Sequence, residues 1–151
     1  MTSRAWVILA ACSLLPLSAS ANASGDSDPL ELRDGKPAAG PQITFMGYRT
    51  LPGGRGTLFV ELSETPVVEV SKSAQIVEYK MLGARVPLKN NRHPLLLRDF
   101  ESSALTAVLV PGKKAVSLVV TLRGAVSPTH RMLARGKGAV LEVDLPALGG
   151  G

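Results

Sequence analysis

Two histidines, His93 and His130, are the side chains in this 151-residue sequence suited to general-base work near neutral pH. A hydrolytic triad also needs a nucleophile and an orienting acid, and the spacing around neither histidine points to them. His93 sits beside Pro94 in a Pro- and Asn-rich connection, while His130 sits on an expected strand. Glu61, Glu64, Asp99 and Glu101 are the carboxylates to weigh for glycosidic cleavage, which needs two carboxyl groups flanking one bond in a cleft. Acidic residues on alternating strands ordinarily face water, so these four are expected to be solvated. Two isolated histidines also lack the short ligand spacing of a zinc site. The expectation is a protein that is not an enzyme and carries no catalytic residues, metal or cofactor.

The remaining chemistry is cationic. Lys113 and Lys114 fall in one expected hairpin turn and Arg135 and Lys137 in another, with Arg123 and Arg131 near the adjoining strand ends. These six are the candidate ligand-binding residues. Gathered on one rim, they would favour anionic partners such as peptidoglycan stem-peptide carboxylates, anionic lipid head groups or acidic proteins. The plainer reading is that turn lysines solubilise the chain and charged edges discourage aggregation. Nucleic acid is not an expected partner, because Phe45, Tyr48, Phe59, Tyr79 and Phe100 are too scattered to form a stacking platform. Phe45 and Phe59 are expected to fill the core. Tyr48 and Tyr79 are the rings available to face a sugar, with core packing the default for all of them.

These residues are carried by short segments in which apolar side chains recur at every second position, the period of a strand with one buried face. Ile43 and Phe45 open the series. Leu58, Val60 and Leu62 alternate with Thr57, Phe59 and Glu61; Val68 and Val70 flank Glu69; Ile76 to Tyr79 follows, giving four strands before Gly83. Leu105 to Val110 joins Val116 to Leu122 through Pro111-Gly112-Lys113-Lys114, where Pro111 presets the turn and Gly112 accepts a positive φ. A last hairpin runs from His130–Ala134 through Arg135-Gly136-Lys137-Gly138 into Ala139 to Leu145. Pro87 to Pro94 reads as a long connection from one sheet to the other, and one helical turn is allowed over Asp99 to Ala104. The fold class expected is all-β, a small two-sheet β-sandwich.

The N-terminus sets the compartment. Arg4, the apolar run Ala5 to Pro16 and the triplets Ala19-Ser20-Ala21 and Ala21-Asn22-Ala23 have the layout of a secretory signal peptide over residues 1–23. The run is too short to span a bilayer, which takes ~20 apolar residues. Leu9-Ala10-Ala11-Cys12 offers an alternative, a lipoprotein anchored through Cys12. Cleavage near Ala23 removes the chain's one cysteine and with it any disulfide or thiolate site. Residues 24–41 carry Asp26, Asp28, Glu31 and Asp34 against Arg33 and Lys36, with enough Ser, Gly and Pro to read as a flexible acidic linker. Residues 42–147 form the body, with 14 Lys and Arg against 8 acidic residues, and 148–151 a disordered tail. The signal-peptide layout makes the expected location periplasmic or secreted, and no segment after the leader is long and apolar enough to cross a membrane.

Over residues 42–147 the chain resembles the AMIN domain, a β-sandwich module of bacterial periplasmic proteins. The residues that carry the likeness are Ile43-Thr44-Phe45, Thr57 to Leu62, Ala104 to Val110, Ala115 to Leu122 and Ala139 to Val143. The resemblance implies attachment to peptidoglycan or to an envelope machine, because such domains precede amidase domains and occur in pilus secretins. No amidase or secretin domain follows in this sequence, so the inherited role is expected to be binding. The segment from Tyr79 to Leu96 is looser than the family's mid-domain strand, whose preceding arginine corresponds to Arg85 or Arg92. The first expectation is a non-catalytic envelope module that binds peptidoglycan. The alternative is an assembly or adaptor protein of a secretion or pilus machine acting through a sheet edge.

Overall fold

The computed structural model describes residues 40–149. The expected signal peptide, the Cys12 anchor and residues 24–39 of the linker lie outside the described residues, as do Gly150 and Gly151 of the tail. Gly40 and Pro41 already belong to the body, since the Arg85 amide donates to the Pro41 carbonyl at 2.9 Å. Nine strands follow in chain order: β1 (Ile43–Leu51), β2 (Arg55–Leu62), β3 (Val68–Ser73), β4 (Ile76–Leu82), β5 (Leu95–Leu96), β6 (Ala104–Pro111), β7 (Ala115–Leu122), β8 (Thr129–Arg135) and β9 (Gly138–Leu145). They form two antiparallel sheets, one ordered β1-β2-β9-β8 and the other β3-β4-β7-β6-β5. The all-β two-sheet sandwich read from the alternation is the observed fold.

The core lies between the sheets, where one face of each strand turns inward. Leu58, Val60 and Leu62 of β2 and Leu141, Val143 and Leu145 of β9 face Val77, Tyr79 and Met81 of β4 and Val116, Leu118, Val120 and Leu122 of β7. All are at most 4% exposed. Removing such surface from water is the main stabilising term, ~25 cal/mol per Å². Among the described residues no helix is long and apolar enough to cross a membrane.

Three local expectations are corrected. Among the described residues the single 3-10 turn covers Lys89–Arg92, whereas Arg98 to Ser103 form turns and an isolated bridge to Ala147 rather than a helical turn at Asp99–Ala104. Pro87 to Pro94 does not switch sheets, because β4 and β5 belong to the same one. The segment passes the end of β1 on its way, and Asn91 Nδ2 donates to the Thr44 carbonyl at 2.9 Å. Gly112 does not adopt a positive φ; Pro111 pairs with Val116, and the turn closes through Gly112 N to Ala115 O at 2.8 Å.

Phe45 and Phe59 do not fill the core, whereas Tyr79 takes the core packing expected of it by default. Phe45 is 48% exposed and packs on Phe59 across the outer face of β1 and β2, ring centroids 5.8 Å apart. A Cβ at Gly47 would stand 2.6 Å from the Phe59 ring, so the missing side chain makes room for the pair. Tyr79 is fully buried, and Tyr48 is half-buried against the core with Phe100 4.9 Å away. The Tyr79 hydroxyl has no hydrogen-bond partner among the described residues, and burial pushes its pKa from 10.0 up to about 12. The neutral phenol is therefore favoured in the folded chain, so this group's contribution is intact below pH ~10 and is lost as pH rises toward ~12. Tyr79→Phe is expected to leave neutral-pH stability unchanged or raise it by up to ~1 kcal/mol, because an unmet hydroxyl is removed. Denaturant titration of both proteins from pH 8 to 12 checks this: the difference between them should widen in favour of the variant across the upper half of that range.

Candidate functional site

The two hairpins that carry Lys113, Lys114, Arg135 and Lys137 turn at the same end of the sandwich. β7 starts and β6 finishes there, and so do β9 and β8. Register with β2 and β4 adds Leu62, Leu82 and Gly83 to that end. Arg123 follows Leu122 and so lies at the other end of β7, ~26 Å away for eight residues of strand. The six candidates are not gathered on one rim.

Three of them are committed to partners within the fold. One guanidinium nitrogen of Arg123 donates to the carbonyls of Leu97, Arg98 and Phe100, which fixes the connection between β5 and β6. Arg131 projects from the outer face of β8, its Nε donating to Glu142 Oε2 at 2.8 Å and its Nη1 to Asp144 Oδ2 at 2.9 Å. The hydrogen bond to Glu142, with the charge of Asp144 behind it, raises the Arg131 pKa further. Arg49 reaches Glu142 from the other side at 3.5 Å, and Thr57 Oγ1 donates to Asp144 Oδ1 at 2.9 Å. Arg135 pairs with Glu61 at 2.9 Å. Glu142 and Asp144 project two residues apart from one strand, yet arginines hold both, a structural network rather than an acid–base pair. Exposed ion pairs of this kind add ~0–1 kcal/mol each.

Lys113 and Lys114 line a concavity of about 630 Å³ between the β6–β7 turn and the segment Gly83 to Pro87. That segment is held by backbone bonds on three sides. Gly83 N donates to Lys114 O at 2.8 Å, Arg85 N to Pro41 O, and Ile43 N to Arg85 O at 2.8 Å. Gly83 has φ +72, a left-handed turn that the lack of a Cβ permits, and it redirects the chain out of β4 toward β1. Arg92 closes the bowl from the 3-10 turn, its guanidinium donating to the Val86 carbonyl at 2.9 Å. Arg85, Arg92, Lys113 and Lys114 therefore share one bowl whose floor includes Ala84, Val86 and Val116. No Asp or Glu lines it, and among the described residues none of the four cations pairs with a carboxylate. Such an arrangement attracts anions and offers several donors at once. Lys137 lies in the neighbouring hairpin turn, outside the bowl lining.

The residues weighed for catalysis are dispersed. His130 faces the Tyr79 ring at 5.2 Å, and His93 ends the 3-10 turn. Glu61 is on the outer sheet face and Glu64 in the β2–β3 connection, whereas Asp99 and Glu101 line a shallow groove with Arg123 at the opposite end. Among the described residues no group of three or more His, Cys, Asp or Glu is placed to hold a metal ion. In the sequence Arg85 and Arg92 stand out only through the resemblance, as the family's mid-domain arginine. Their place in the bowl depends on two segments far apart in the chain, and no local pattern signals it.

No protein-family model matches the chain, and no curated protein matches it.

Proposed function

We propose that this protein is an exported, non-catalytic cell-envelope module of AMIN-like type that binds peptidoglycan, its bowl of Arg85, Arg92, Lys113 and Lys114 taking the stem-peptide carboxylates. The observation that carries the reading is the lining itself: four cations converge there with no carboxylate among them. Guanidinium and ammonium donors suit carboxylate oxygens, and the open shape suits a polymer that cannot be enclosed. Export to the periplasm or medium, free or through Cys12, brings the bowl to that polymer. The other reading, an adaptor of a secretion or pilus machine that holds a partner by a sheet edge, is favoured by one observation, the uncovered strand β8.

Co-sedimentation with purified peptidoglycan over a salt series tests the first reading. Binding should weaken steadily with ionic strength, because exposed charges are screened over ~10 Å at 0.1 M salt. Lys113→Glu with Lys114→Glu should cut it by roughly tenfold or more, while Arg98→Glu at the far end leaves it unchanged. Equal sedimentation of the double variant and the unaltered protein would remove the bowl from the binding surface.

A further inference from the structure

β9 is sheltered on both of its faces. Leu141, Val143 and Leu145 turn to the core, yet Val140 and Glu142, on the outer side of the same strand, are only 7% and 9% exposed. β7, an interior strand of the other sheet, leaves its outward Ser117, Val119 and Thr121 merely half-buried. The cover on β9 comes from its neighbours. Register puts Phe59, Glu142 and Arg131 in one row across the outer face and Glu61, Val140 and Leu133 in the next. Side chains of β1 and β2 rise on one side of β9 and those of β8 on the other, leaving a groove of about 650 Å³. Phe59 and Arg49 wall it opposite Leu133 and Arg135, and Val140 and Glu142 form its floor.

The charges around this groove are already compensated. Arg49, Arg131 and Arg135 meet Glu61, Glu142 and Asp144 in four ion pairs, so no net charge is left to draw an ion. Hydrogen-bonding capacity does remain. Glu142 Oε2 accepts from Arg131 Nε at 2.8 Å, whereas among the described residues Oε1 is met only by Arg49 Nη2 at 3.5 Å, longer than a full hydrogen bond. A carboxylate oxygen on a side chain nine-tenths buried thus keeps acceptor sites at the floor. Main-chain pairing is not on offer, because β9 is laddered to β2 on one side and β8 on the other. A peptide strand therefore finds no edge here, and a ligand must be held by side chains alone.

We infer that this groove binds an uncharged saccharide, a short stretch of N-acetylated pyranose units, through Phe59, Leu133, Val140 and Glu142. Such a ligand has an apolar C–H face to set against Phe59 and Leu133 and hydroxyls at its rim, one of which donates to Glu142 Oε1. Its acetamide and ring oxygens accept from the guanidinium N–H groups of Arg49 and Arg135 that their ion pairs leave over. Apolar walls with a few convergent polar groups, at this volume, suit a small organic ligand. The inference deepens the peptidoglycan reading, from which the choice of amino sugar is taken, by adding a place for glycan to the bowl's place for carboxylates. It uses no uncompensated cation, so the groove and the bowl differ in their response to salt.

The test uses the protein and chitotetraose, the uncharged tetramer of N-acetylglucosamine, read by calorimetry and by amide chemical shifts. Saturable binding with a Kd of about 1 mM or tighter is expected, with shifts at Val140 and Glu142. It should be equal at about 0.05 M and about 0.5 M salt. Phe59→Ala and Leu133→Ser, on opposite walls, should each weaken it ~5–10-fold, and Glu142→Gln should do likewise through the altered acceptor. Lys113→Glu with Lys114→Glu in the bowl should leave it unchanged, as should Leu96→Ser on the other sheet. No saturation up to about 10 mM sugar overturns the groove and leaves the bowl standing, since the bowl is read through salt-sensitive binding of carboxylates. Binding that survives all three groove variants, or that falls with salt and with the lysine pair, overturns the assignment of the sugar to this groove.

Discussion

Leu118→Ala is expected to lower the unfolding free energy by ~3 kcal/mol, within the ~2–5 kcal/mol range for buried leucines. Leu118 is 0% exposed at the middle of β7, which is flanked by β4 and β6 in the five-stranded sheet. Its side chain points to the core shared with Leu58, Leu141 and Val143. Truncation leaves a cavity that two hydrogen-bonded neighbours on either side prevent from collapsing. For a domain of this size the melting temperature should fall by roughly 10–20 °C. The adjacent Val119 points to the outer face and is half-buried. Val119→Ala should cost under ~1 kcal/mol. Calorimetry of the two variants checks the register directly: similar losses would mean that β7 is buried on both faces and that the two-layer arrangement is wrong.

Gly138→Ala has the second large expected effect, a loss of ~2–4 kcal/mol. A Cβ at Gly138 would stand 2.4 Å from the carbonyl oxygen of Leu62. That oxygen is main chain at the end of β2, an interior strand, and cannot swing aside as a side chain would. β9 would have to part from β2 at the end where the Arg135–Gly138 turn sits. Gly124 is the contrast. No atom lies within 4 Å of its added Cβ, and its φ is not positive. Gly124→Ala should change stability by no more than ~0.5 kcal/mol, with a slight gain from the restricted unfolded chain. Urea unfolding of both measures the difference, and equal midpoints would show that the close approach at Gly138 is absent in solution.

Alternation alone was enough to place the four strands before Gly83, both long hairpins and the sandwich, since burial on one face imposes a period of two wherever a strand is half-covered. It misplaced Phe45 for a physical reason. Ile43 faces inward, and a simple count of two would carry Phe45 inward as well, but a register shift between them reverses the phase and Met46 takes the core position. Phe59 was already out of step with Leu58 and Val60, and only its size suggested the core. β5 is too short to show a period, so the path of Pro87 to Pro94 back to the same sheet left no trace in the pattern. The cations were visible as residue types. Their separation into the internally paired Arg123, Arg131 and Arg135 and the bowl-lining Lys113 and Lys114 depends on neighbours from distant strands, which one-dimensional spacing does not report.

The bowl sits at a tip of the strands, whereas the β8 edge runs along their length, so the two surfaces meet at roughly a right angle. A body drawn by its bowl to an anionic matrix would stand upright on it, strand axes normal to the layer. Its long flank would then look sideways, toward whatever stood next to it in the same plane, and anchoring below would leave lateral pairing unobstructed.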